Sequence, residues 1–158
     1  NLTIADKIME TVAKIGEKID ITSFERLESE SVVAYNHAGY RVAVLVSLNK
    51  TMTEANQTAG KDVAMQIAAM NPLAVDESSI APETIAREKE IAIEQIKAEG
   101  KPAEMAEKIA IGKVNKFLKD NTLIHQPFVK DNGKSVADYL KSVDADLKVT
   151  EFRRVALG

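Results

Sequence analysis

Two helical runs of similar length occupy residues 83–119 and are joined by Gly100-Lys101-Pro102. This arrangement constrains the chain more than any other feature. A glycine just past one run and a proline at the start of the next let the chain stop one helix and return in another. Ile85, Ala92 and Ile96 form a stripe on the first run. Met105, Ile109 and Gly112 are expected to face it from the second, with Ala106, Val114 and Phe117 nearby. Each run, at roughly 17 residues, would be about 25 Å long. So thin a stripe closes a hairpin but leaves little apolar surface for a globular body. The hairpin is therefore expected to project as an arm offered to a partner, with Glu83, Arg87, Lys89 and Glu94 on its solvated faces.

The remainder reads as α+β. Thr3 and Asp6 have the spacing of a capping box, and Ile4, Ile8, Val12, Ile15 and Ile19 recur at helical intervals, predicting a helix over 3–18 with Gly16 near its end. That stripe is expected to be core. Runs rich in β-branched and aromatic residues predict strands at 19–28, 31–37, 40–48 and 149–157. Val42, Val44, Val46 and Leu48 alternate with Ala43, Leu45 and Ser47, two largely apolar sides as in a central strand, and Asn36-His37-Ala38-Gly39 marks a hairpin tip. Residues 51–60 read as a polar loop before a helix at 61–70, ended by Asn71-Pro72. A linker spans 73–81, Pro82 suits a first helical turn, Asp131-Asn132-Gly133 suits a turn, and a short helix is expected at 135–143. The resulting organisation is a core of 1–81 with a β-hairpin, a coiled-coil insertion of 82–120, and a closing helix and strand in 121–158.

Composition and motifs narrow the function by exclusion. A net charge of −3 with interspersed signs, and 4% aromatic residues, argue against direct nucleic-acid binding. The absence of cysteine excludes disulfides and thiolate metal sites and fits a cytoplasmic setting. No apolar run approaches the roughly 18 residues that span a bilayer, and no signal-like start is present. Ala59-Gly60-Lys61-Asp62 has the end of a phosphate-binding loop but fails the motif at Ala55 and Asp62. His37 and His125 lack a ligand at the spacing of a metal pair, so no metal and no cofactor is expected. Asp144 and Asp146 are the best pair for acid/base work, yet no nucleophile stands with a positioned base. A non-enzyme is expected.

Several segments together resemble bacterial translation elongation factor Ts. They are Ala13-Lys14-Ile15-Gly16-Glu17-Lys18-Ile19, Tyr35-Asn36-His37 followed by Arg41-Val42-Ala43-Val44-Leu45-Val46, and Val63 through Pro72. Gly100-Lys101-Pro102, Ala106-Glu107-Lys108-Ile109 and Gln126-Pro127-Phe128-Val129 continue the series in order over residues 10–158. The resemblance implies a dimerisation-domain-like α+β fold, with an antiparallel sheet packed against helices and a protruding helical hairpin. It also implies a guanine-nucleotide exchange factor that binds elongation factor Tu and promotes GDP release during protein biosynthesis.

On that resemblance Ile15 and Gly16 match an Ile-Gly contact at a helix end, and His37 matches the histidine at a hairpin tip. The loop His37-Ala38-Gly39-Tyr40-Arg41 carries one residue more than is common in relatives, and Gln66 stands where many carry histidine. The chain starts at Asn1, and it is expected to be the C-terminal portion of a longer protein. An N-terminal helical domain and the Thr-Asp-Phe segment that enters the partner's magnesium site are expected to lie outside it, so this portion alone should release GDP poorly. Thr22-Ser23-Phe24 is no substitute, lacking the central carboxylate. Two rivals remain: a structural module that forms a homodimer through the hairpin, and a small hydrolase built on Asp144, Asp146 or His125.

Overall fold

The computed structural model describes residues 1–157. Helix α1 (Ile4–Ile15) is followed by an irregular stretch and then strands β1 (Ser31–Asn36) and β2 (Val42–Leu48). Helix α2 (Glu54–Met70) leads to the helical pair α3 (Pro82–Ala98) and α4 (Ala103–Asn121). A two-stranded ribbon of β3 (Pro127–Phe128) and β4 (Asp131–Ser135), helix α5 (Val136–Val143) and strand β5 (Val149–Ala156) complete the chain.

The main sheet has three antiparallel strands in the order β1-β2-β5, which makes β2 central as its two-sided apolar pattern requires. The register Val33↔Val46 and Val46↔Phe152 sets Val33, Tyr35, Val44, Val46, Leu48 and Phe152 on one face. Helix α2 covers that face with Val63, Ala64 and Ile67, and α5 adds Val136 and Leu140 to the same apolar cluster. Gly60 lies within α2, where a Cβ would fall 2.5 Å from Cγ2 of Val33. The absent side chain lets helix and strand approach closely, so the glycine of the apparent phosphate loop has a packing role.

The strand expected at 19–28 does not form. Ser23, Phe24 and Glu25 lie across the sheet's second face beside Ala34, Leu45 and Arg153, and Glu25 is held by Arg153 at 3.3 Å. Ile19 and Ile21 turn instead toward α1, with which they line a shallow apolar groove. A β-prone sequence becomes a strand only where a ladder edge accepts it, and this segment crosses the face instead. Helix α2 begins earlier than expected because Thr53 accepts the amide of Asn56 as its N-cap, at 3.1 Å. The residues read as a loop include its first turns: Glu54, Gln57 and Thr58 face outward, while buried Asn56 donates to the Thr51 carbonyl at 2.8 Å. Asp131 and Gly133, expected in a turn, belong to β4.

The α3–α4 pair packs through its own seam, but in a different register from that expected. Ala92 and Ile96 meet Ala106 and Ala110, while Met105 is 53% exposed and Gly112 is open to solvent. Small side chains at 106 and 110 allow the closer approach, which turns Met105 and Gly112 off the contact face. A separate cluster of Ala74, Ile80, Val114 and Leu118 closes the base of the pair. The hairpin thus holds apolar clusters distinct from that of the sheet.

Candidate functional site

Helix α1 ends as its sequence directs. Ile15 is its last residue, and Gly16 caps it in the left-handed region at φ 74°, donating its amide to the Val12 carbonyl at 2.8 Å. Nothing lies within 4 Å of where a Cβ on Gly16 would stand, so the backbone conformation, not crowding, demands glycine. Ile15 is 54% exposed. The stripe expected to be core is not buried: α1 has no buried residue, Ile4 faces solvent, and Ile8, Val12 and Ile19 are only half-buried. The expectation that this stripe joins the core, against the sheet, is therefore corrected. Helix α2 already fills that place.

His37 closes the β1–β2 hairpin. Its amide donates to the Val42 carbonyl at 2.8 Å, the last bond of the ladder, and its carbonyl accepts from the Tyr40 amide at 2.9 Å. Its Nδ1 lies 3.1 Å from the hydroxyl of Tyr35, whose ring packs against the central cluster. The half-buried imidazole is thereby held from the core outward through one aromatic ring. Beyond it the chain makes a single tight turn over Ala38–Tyr40, with Gly39 at φ 78° and Tyr40 at φ 55°. A left-handed conformation at a residue other than glycine, asparagine or aspartate costs about 1 kcal/mol or more. Ile15 with Gly16 and His37 are two separate places: no hydrogen bond or shared apolar cluster joins them among the described residues.

The remaining candidates have structural roles. His125 forms a turn after α4 and lies 2.9 Å from the Thr122 hydroxyl. The cavity it lines with Pro127 and Asp138 contains neither Asp144 nor Asp146. Asp144 accepts from Lys50 at 2.6 and 2.8 Å, which holds its carboxyl below the usual range, and Asp146 stands 3.8 Å from the same ammonium. Among the described residues no three His, Asp or Glu side chains gather as a metal site. No helix there is long and apolar enough to cross a membrane.

Gln66 is fully buried, donating to Gln126 Oε1 at 3.2 Å and to the Pro127 carbonyl at 3.1 Å, and accepting from the Val129 amide at 2.8 Å. It fixes the turn before β4 and offers nothing to a partner. Phe128, from the same turn, stacks on Tyr139 with ring centroids 4.1 Å apart. Burial, together with a 2.7 Å hydrogen bond to Asp62, raises the Tyr139 phenol well above its ordinary value. These long-range contacts had no local signal in the sequence.

A family model described as Elongation factor TS matches residues 1–158. Elongation factor Ts of Christiangramia forsetii is 50% identical over 157 residues, covering 99% of this chain and 57% of that protein. Elongation factor Ts of Flavobacterium psychrophilum is 48% identical with the same coverage. That of Methylococcus capsulatus is 44% identical over 151 residues, or 94% of this chain and 49% of its own length. The chain thus spans about half the length of these curated relatives.

Proposed function

The chain belongs to the elongation factor Ts family, and on that premise we propose that it binds elongation factor Tu in the cytoplasm and favours release of its GDP. It makes and breaks no covalent bond. The contacts are Ile15 and Gly16 at the end of α1 and His37 at the hairpin tip. Residues 1–81 and 121–158 act as the body and 82–120 as an arm. The observation that carries this reading is the exposed, glycine-capped end of α1, where Ile15 is 54% exposed and Gly16 stands open.

The physics is linkage. A protein that holds the nucleotide-free GTPase more tightly than the GDP-bound one must weaken GDP binding by the same factor. Contact energy at the helix end and the hairpin tip offsets the strain of the distorted nucleotide site. A held imidazole suits this use, because a side chain already fixed by Tyr35 loses little freedom on docking.

The test is a titration of GDP into elongation factor Tu at saturating concentrations of this chain. The expected outcome is a GDP affinity reduced about tenfold, and by a smaller factor with Ile15→Ala or His37→Ala. An unchanged GDP affinity at saturation would remove the proposal.

A further inference from the structure

We propose that Tyr40 is a further contact with the partner, an aromatic anchor held outward by the backbone of the hairpin tip. The inference rests on the function proposed above. Two independent observations carry it. Tyr40 is 82% exposed, the most exposed large apolar side chain among the described residues, and its hydroxyl has no hydrogen-bond partner among them. It also sits at φ 55°. The other non-glycine residue with positive φ is Asn71, which ends α2, and asparagine tolerates that region. Tyrosine has less tolerance for that region, and a side chain left 82% exposed gains little packing to offset the strain.

Strain kept without an internal return marks a position whose use lies outside the fold. The placement suits docking. The Tyr40 amide is tied to the His37 carbonyl at 2.9 Å, so the two side chains leave one tight turn at the end of a registered strand pair. Tyrosine gives a large contact area at a small loss of rotamer freedom, with a polar end for the rim of a pocket. The recipient surface on elongation factor Tu should therefore have apolar walls with a hydrogen-bonding group at the mouth.

Tyr40→Asn removes the ring while supplying a side chain suited to the same backbone, and Tyr40→Phe keeps the ring. Affinity for nucleotide-free elongation factor Tu and the Tm are measured for both and for the parent chain. The inference predicts an affinity loss of about tenfold for Tyr40→Asn, with Tm unchanged or raised, and a loss within about threefold for Tyr40→Phe. Parent-like affinity of Tyr40→Asn, with the parent still preferring the empty GTPase, would overturn the anchor and leave the function standing. A Tm lowered by several degrees in Tyr40→Asn would also overturn it, because the ring would then serve the fold. A parent chain without preference for the empty GTPase would overturn both.

Discussion

Thr3 and Asp6 close a reciprocal cap at the start of α1, and Ser135 and Asp138 close the same cap at the start of α5. Each helix gathers its apolar residues on one side. Yet α5 buries Val136 and Leu140 in the central cluster, while α1 buries nothing and leaves Ile4 at 70% exposure. Capping and periodicity therefore specify that a helix forms and which side is apolar. They do not specify what covers that side. In α5 the cover is the sheet and α2; in α1 it is only a shallow groove shared with Ile19 and Ile21. A helix of 12 residues is marginal in water without packing, so α1 stands near its limit in the free chain.

The largest expected contrast is in side-chain truncation. Leu140→Ala should cost about 3 kcal/mol in urea unfolding, through lost burial and a residual cavity. Ile4→Ala should stay within about 0.5 kcal/mol. A cost for Ile4→Ala that rivals Leu140→Ala would show that α1 is packed after all and would dissolve the contrast. Cap removal should give a smaller difference. Ser135→Ala is expected to lower global stability by about 1 kcal/mol, whereas Thr3→Ala should reduce helicity by circular dichroism with an unchanged unfolding midpoint.

The smallest contrast is in acid. Hydrogen bonds from Thr3 hold the Asp6 carboxyl below its ordinary value, and those from Ser135 do the same for Asp138. A folded-state value below the unfolded one means that each carboxylate stabilises its helix fully above about pH 3.9. That contribution is lost as pH falls through the folded-state value. Asp138→Asn should therefore flatten the acid limb of global stability, and Asp6→Asn should leave it unchanged. Equal flattening would place α1 inside the cooperative unit.

How far the sequence could be read follows the same division. The Thr3–Asp6 capping box, the glycine near the end of α1, the turn at Gly100-Lys101-Pro102, the β1–β2 hairpin and the short helix after Ser135 lie in short stretches whose residue types set their own backbone, and each was legible. The segment 19–28 was not, because strand formation depends on a free ladder edge elsewhere. The seam of the helical hairpin was misread by one residue on α4, since Met105 is the larger apolar side chain but Ala106 permits closer approach. Gln66 took its role from Gln126, Pro127 and Val129, some sixty residues away, beyond any local pattern. The proposed contacts Ile15, Gly16 and His37 came from the resemblance, spacing having marked only a helix end and a hairpin tip. Tyr40 was not, because its significance lies in a dihedral angle.

Amide hydrogen exchange over residues 4–16 and 37–41, with and without elongation factor Tu, tests the central claim most directly. The account predicts rapid exchange of the α1 amides in the free chain. It predicts protection at the C-terminal end of α1 and around His37 on adding the nucleotide-free GTPase, and much weaker protection with the GDP-bound form at the same concentration. Equal protection by the two forms, or protection confined to other parts of the chain, would contradict it.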